Sequence, residues 1–248
     1  MRRYFIFLKF KGTEFNGWQT QPNGITVQEE IEKALAVYFQ QTVPIMGAGR
    51  TDAGVHAKLM IAHFDYDKNI VINDFIYHVN NILNESISII SLNEVLADFH
   101  ARFAAESRTY HYFLVESKDP FTVDFSHRII KELDFDRMNE AAKLLLGEKD
   151  FSCFSKSKTQ TFTNNCDITK AAWTQQNELW RFEITANRFL RNMVRAIVGT
   201  LIEVGEGKRT VESISDLIES KNRSKAGFSV PAKGLFLVDI QYPKEGFI

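Results

Sequence analysis

Cysteine is nearly missing: only Cys153 and Cys166 occur in 248 residues, with no second pair to make a zinc site. A disulfide framework is therefore not expected, and a reducing compartment is the better match. Net charge is nearly missing too. Lys and Arg number 30 against 31 Asp and Glu, a balance of −1, so the chain as a whole has no pull toward nucleic acid. Long apolar runs are also lacking. The opening Met1-Arg2-Arg3-Tyr4 leads into a run too short for a signal peptide or a membrane span, which predicts a soluble, cytoplasmic protein with no membrane partner. There is no dinucleotide fingerprint, P-loop, metal-ligand helix, short-period repeat or low-complexity segment.

What is present is ordinary globular composition, with 44% apolar and 25% charged residues and 21 Phe. The length suits one large domain or two smaller ones, with a sizeable core. Charge is unevenly spread. Residues 221–234 hold Lys221, Arg223, Lys225 and Lys233 and no acid, while Glu203, Glu206, Glu212, Asp216 and Glu219 gather elsewhere. A near-neutral chain can still bind a polyanion through one basic face.

Residues 4–10 are apolar on both alternating sets, which predicts a strand buried on both faces. Thr26-Val27-Gln28-Glu29 has capping-box spacing, and Val27, Ile31, Ala34, Leu35 and Tyr38 follow at helical intervals to about Phe39. Short apolar runs at 43–46 and 59–64 read as strands. A helix over about 74–83 is expected with Asn73 as cap, then a strand at 86–92. In the second half the pattern predicts a strand over 108–116, a helix capped by Asp134, and a polar loop over 151–165. A hairpin at 168–174 and 179–186, a long helix over about 189–204, a helix from Thr210 to about Ser220 and a strand over 235–242 complete it. The fold class is α+β, with a largely antiparallel sheet and helices packed on it. The expected division is 1–104 and 105–248.

The densest chemistry lies between the strands at 43–46 and 59–64. Gly47-Ala48-Gly49-Arg50-Thr51-Asp52-Ala53-Gly54-Val55-His56-Ala57 packs a guanidinium, a hydroxyl, a carboxylate and an imidazole among three glycines. Such glycines let the backbone turn and let another molecule approach closely; a plain turn in which Asp52 bonds its own backbone is the simpler alternative. On the predicted helix over 189–204, Arg188, Arg191 and Arg195 fall on one stripe. Arg188 and Arg191 read as a solvated face. Arg195, amid apolar neighbours, calls for a carboxylate, and Asp52 suits it. Arg108 and Tyr110 share a strand face, so a base can stack on the ring while the cation holds a phosphate; a packed tyrosine is the alternative. Lys156 and Lys158 are either solvated charges or phosphate contacts. Trp18 reads as the anchor of its loop, and His56 and His63 as structural, since neither has metal spacing with other ligands.

These residues resemble the tRNA pseudouridine synthase A (TruA) family. Gly49-Arg50-Thr51-Asp52-Ala53-Gly54-Val55-His56 matches its signature loop without a change. Five further matches follow in order. They are Gly17-Trp18-Gln19 with Thr26-Val27-Gln28; Phe99-His100-Ala101-Arg102-Phe103; Arg108, Tyr110 and Tyr112; Asp150-Phe151-Ser152 with Phe154; and Phe189, Arg191-Asn192-Met193-Val194-Arg195 to Gly199. The ending Pro231-Ala232 with Gly234-Leu235 fits too. The chain departs at Leu83-Asn84-Glu85-Ser86-Ile87, where the family more often has Pro then Asp.

The resemblance implies isomerisation of uridine to pseudouridine at positions 38, 39 and 40 of the tRNA anticodon stem-loop. It implies no cofactor, no metal and a homodimer in which one tRNA touches both subunits. The implied fold is two similar α+β halves whose sheets join, the active cleft between them. Asp52 would be the catalytic carboxylate, attacking the sugar C1′ or the base C6, or taking a sugar proton. Arg195 would pair with it, and Tyr110 would stack on the target base and share in its proton traffic. Arg50 would face the RNA, with Arg188, Arg191, Lys156 and Lys158 as further contacts. A non-catalytic RNA-binding protein and a hydrolase of a glycosidic bond are the alternatives.

Overall fold

The structure, a computed structural model, describes residues 1–156 and 162–248. In chain order the elements are β1 (Arg2–Phe10), α1 (Val27–Phe39), β2 (Met46–Gly47), β3 (His56–Tyr66), α2 (Ile72–Ile82) and β4 (Ile87–Val95). Then come β5 (Ser107–Val115), β6 (His127–Arg128), α3 (Phe135–Lys143), β7 (Gly147–Asp150), β8 (Asn165–Gln176) and β9 (Leu179–Ala186). The chain ends with α4 (Met193–Gly205), α5 (Ser213–Ser220) and β10 (Leu235–Gln241). Two compact units result: Met1–Ser107 with Leu237–Ile248, and Arg108–Phe236. Both are α+β.

In the first unit the strand order is β4-β1-β3-β10, with β2 antiparallel on β3. Strand β1 is antiparallel to both its neighbours. It is buried on both faces, as its apolar run predicts: Tyr4, Phe5, Ile6 and Leu8 are 2% exposed or less. On one face Tyr4 stacks on Phe64, and Phe64 meets Phe39 of α1 and Phe75 of α2. On the other, Phe5 meets His63, Phe99, Tyr242 and Phe247. Helix α1 begins as the capping pattern predicts, with Thr26 Oγ1 accepting from the Glu29 N–H at 3.3 Å. Helix α2 does not. Its first backbone bond runs from the Phe75 N–H to the Val71 carbonyl, so Val71 is the cap position and Asn73 lies inside the helix without capping it. At 83–87, where the resemblance departs, Asn84 shapes the turn: its Oδ1 accepts from the Ser86 N–H at 2.9 Å and its carbonyl from the Ile87 N–H.

His63 lies in this core at 7% exposure, with Nδ1 accepting from the Ala101 N–H at 3.2 Å. Burial, with Arg3 and His100 adding to it, pulls its pKa down to about 4. The unfolded imidazole, near its usual 6.5, binds a proton that the folded one refuses. Stability is therefore full above pH 6.5 and falls as the pH drops toward 4, by on the order of 2–3 kcal/mol. Urea unfolding at pH 7 and pH 4.5 measures it, and His63→Asn, which keeps an acceptor without titrating, should flatten that slope by about one proton.

In the second unit the order is β5-β9-β8-β7, all antiparallel, and β6 adds to β5 in parallel, so the sheet is mixed. Asp134 caps α3 by accepting from the Arg137 N–H at 2.9 Å. The β8–β9 turn is shorter than the expected strands leave: Gln175 and Gln176 still pair with β9, so only Asn177 and Glu178 turn, and Asn177 takes φ 55°. The last helix starts at Ser213, after a turn in which Thr210 Oγ1 accepts from the Ser213 N–H.

The largest departure is α4. It begins at Met193, not 189, because Asn192 takes φ 64° and a left-handed residue cannot continue a right-handed helix. Residues 187–191 bond elsewhere. The Asn187 N–H donates to the Asp167 carbonyl, its Oδ1 accepts from the Asp167 N–H, and the Arg191 carbonyl accepts from the Lys156 N–H at 3.0 Å.

Candidate active site

The glycine-rich loop leaves β2 and enters β3, and the core holds both its ends. Ala48, Val55 and His56 are 2% exposed or less. The Ala48 N–H donates to the Ile61 carbonyl at 2.8 Å. At the tip, the Val55 N–H donates to the Asp52 carbonyl at 3.1 Å, which closes a turn. Gly54, third in that turn, has φ 79°, a conformation that favours glycine.

A second loop grips the first. The Trp18 N–H donates to the Thr51 carbonyl at 3.3 Å, and the Gly54 N–H to the Phe15 carbonyl at 3.2 Å. The Gly12 N–H donates to His56 Nδ1 at 3.0 Å. The approach is close enough to demand glycine at 17, where φ is 85° and a Cβ would sit 2.4 Å from the Thr51 carbonyl oxygen. Trp18 is 2% exposed and lies against Gly47, so it anchors the loop as its composition suggests. Thr51 is buried, Asp52 half-buried, and Arg50 exposed. The two loops thus fix the backbone beneath a carboxylate that reaches the surface.

His56 is structural, as its spacing indicates, and its role is specific: it accepts a buried backbone N–H. His56→Leu leaves that donor without a partner, at about 1–3 kcal/mol, and loosens the loop under Asp52. His56→Asn offers an acceptor in much the same place. We expect the Leu variant to lose both thermal stability and turnover and the Asn variant to recover most of each, measured by melting and by steady-state kinetics.

The second unit collects most of the other candidates around residues 187–191. Tyr110, half-buried on β5, meets the Phe189 ring edge-on at 5.2 Å and 88°. Arg108 Nη1 donates to the Asn187 carbonyl at 2.8 Å, so this guanidinium holds the segment. Arg188 is half-buried and Arg191 exposed, and the Lys156 backbone joins Arg191 as described. Lys158 lies outside the described residues. Because α4 starts at Met193, the predicted stripe of Arg188, Arg191 and Arg195 on one helix is not formed. Only Arg195 is helical.

Arg195 is not deep in the helix either; it is the third residue of α4 and half-buried. A cation in a first turn opposes the helix dipole, typically by 0.3–1 kcal/mol, so helix stability does not explain its position. Its Nε donates to the Val230 carbonyl at 2.7 Å, and the Val230 N–H returns a bond to the Arg195 carbonyl at 3.2 Å. The segment 227–230 therefore positions the guanidinium. Two more contacts hold it. Asn192 Nδ2 donates to Ser229 Oγ at 2.6 Å, and the Gly227 N–H donates to Thr200 Oγ1 at 2.9 Å. Arg223 joins Gly227 and Ser229 from the same basic stretch. Sequence reasoning missed this support, the contact of Phe189 with Tyr110 and the acceptor role of His56. The only sign of it was the acid-free composition of 221–234.

Both cysteines are buried, and burial pushes the Cys153 thiol up to about 12 and the Cys166 thiol to about 11. Neither is a nucleophile at neutral pH. Among the described residues no three His, Cys, Asp or Glu are grouped to hold a metal ion, and no helix is long and apolar enough to cross a membrane.

The chain is similar to known proteins over its whole length. A family model described as tRNA pseudouridine synthase matches residues 141–243. A protein of Parabacteroides distasonis named tRNA pseudouridine synthase A is 52% identical over 250 residues, covering 100% of this chain and 98% of that protein. A protein of the same name from Bacteroides fragilis is 50% identical, covering 100% and 99%. One from Acetivibrio thermocellus is 40% identical, covering 98% and 100%.

Proposed function

The chain belongs to the tRNA pseudouridine synthase A family and is an isomerase acting on tRNA, and we propose that it converts uridines 38, 39 and 40 of the anticodon stem-loop, with Asp52 as the catalytic carboxylate. The observation that carries this reading is the half-buried Asp52 on a turn clamped by residues 12–18, in a loop that matches the family signature.

The uracil must leave the sugar at N1, turn, and rejoin through C5. The N1–C1′ bond breaks, a C5–C1′ bond forms, the C5 proton passes to solvent and N1 gains one. No atom is lost overall, so no external reductant or oxidant is needed. Asp52 serves by attack at C1′ or C6 or by removing a sugar proton, and a carboxylate suits all three. Arg195 is its partner cation. Tyr110, already braced by Phe189, stacks on the target base. Arg50 faces the RNA and fills the stack after the base leaves it. Base flipping costs a few kcal/mol, which phosphate contacts from Arg188, Arg191, Lys156 and Lys158 offset. The active form is a cytoplasmic homodimer that needs no cofactor, with one tRNA touching both subunits.

Incubation with tRNA transcript tritiated at uracil C5 tests the reaction. Release of tritium from an intact RNA supports isomerisation; free uracil would point to a hydrolase, and no release to a binding protein. The partner role of Arg195 has its own check. Arg195→Lys keeps a charge but loses the fork that serves Val230 and a carboxylate together. We expect kcat to fall about 10- to 100-fold, the worth of one or two charged hydrogen bonds, with tRNA affinity little changed. A silent substitution would remove Arg195 from the mechanism.

A further inference from the structure

The Phe99-His100-Ala101-Arg102-Phe103 motif takes no part in the chemistry above, yet the first unit builds it with care. It opens the connection between β4 and β5. Phe99 is 8% exposed and stacks on Phe5 of β1, with ring centroids 5.1 Å apart. Ala101 is fully buried; its N–H donates to His63 Nδ1, and its carbonyl accepts from the Tyr242 hydroxyl. His100 closes the turn, its Nδ1 accepting from the Arg102 N–H at 3.0 Å and its carbonyl from the Ala104 N–H. Phe99 and Ala101 are therefore buried and locked. Phe103 points the other way and is 76% exposed.

This ring is rigidly presented. The His100 imidazole lies 4.4 Å from it at 35°, and His100 is itself braced by His63 at 4.6 Å. The Arg102 guanidinium stands 5.7 Å from the Phe103 centroid. His63 pairs in register with Met46, the residue before the Gly47 loop, so motif and loop hang on the same point of β3. Burial does not explain so exposed a ring on so well anchored a turn. A largely exposed aromatic ring with a cation over it fits an unpaired nucleotide, whose base stacks on the ring while its phosphate meets the guanidinium. Preorganisation lowers the entropy cost of such a contact.

We propose that Phe103, flanked by His100 and Arg102, is a stacking step for one unpaired nucleotide of the bound RNA, apart from the nucleotide that reacts at Asp52. The proposal rests on RNA being the substrate. The test is a series of tRNA-transcript affinities, by fluorescence anisotropy over a range of salt, with kcat and KM from tritium release. Phe103→Ala should weaken binding about 10- to 100-fold, as expected for one base. It should raise KM to match, leave kcat unchanged and leave the salt slope unchanged. Phe103→Tyr should bind within about twofold of wild type, because it keeps the face. Arg102→Gln should reduce the salt slope by about 0.7, one phosphate contact on a single strand. Phe103→Ala binding as tightly as wild type would overturn the proposal. So would a loss that Phe103→Tyr does not restore, or a loss of self-association with tRNA affinity intact. If wild type binds tRNA but releases no tritium, the catalytic reading fails alone, and the affinity series still decides whether Phe103 stacks.

Discussion

Asp52→Ala should lower pseudouridine formation by at least about 10^4-fold, the scale seen when an enzyme loses its nucleophile, while tRNA affinity stays within a few-fold of wild type. The expectation of a clean loss comes from how the loop is held. Its bonds to residues 12–18 run through backbone groups of Trp18, Thr51, Phe15 and Gly54 and through the His56 ring. The turn itself is closed by the Asp52 carbonyl, not its carboxylate. Alanine retains all of these, so the frame should survive without its reactive group. Asp52→Asn is the stricter form, because it keeps the shape and removes only the charge. Single-turnover tritium release and an equilibrium titration on the same preparation separate chemistry from binding. Turnover retained in either variant would exclude Asp52 as the nucleophile or base.

Gly199→Ala should be the most damaging change outside the loop, although it adds one methyl group. A Cβ at 199 would lie 1.8 Å from the Phe228 carbonyl oxygen, a backbone atom with no flexible end to swing aside. Either α4 or the 227–230 segment must move by more than an ångström. That movement strains the Gly227–Thr200 bond and the two bonds between Arg195 and Val230. Overpacking of this kind costs about 3 kcal/mol or more, equivalent to a fall in melting temperature of about 6–12 °C for a chain of this size. Because the same segment aims Arg195, kcat should fall further than the unfolded fraction explains. Melting curves with kcat measured well below the transition distinguish the two effects. An unchanged melting temperature would mean that α4 and 227–230 do not pack as described.

Local elements were legible wherever they depend on neighbours in sequence. Thr26 and Asp134 cap their helices as their spacing suggests, and β1 is buried on both faces as its unbroken apolar run implies. Where a distant group decides, the sequence misleads. Asn73 looks like a cap, but the Phe75 N–H bonds to the Val71 carbonyl, so the helix begins at Ile72 and Asn73 lies inside it. Residues 189–192 have helical spacing, but Asn192 turns left-handed, the Arg191 carbonyl bonds to Lys156, and Asn187 just before them bonds to Asp167.

The same division runs through the site. The sequence by itself determined the α+β class, the family, and the loop that carries Asp52, because each is written in short, contiguous patterns of residue type. Only the tertiary structure decided that residues 12–18 clamp that loop through backbone groups, that Arg195 stands in a first turn held by Val230, and that Leu237–Ile248 returns to the first unit. The physical reason is that backbone amides and carbonyls are the same in every residue. Which ones meet across 33 or more positions depends on how the chain packs, and no residue-type pattern encodes that directly.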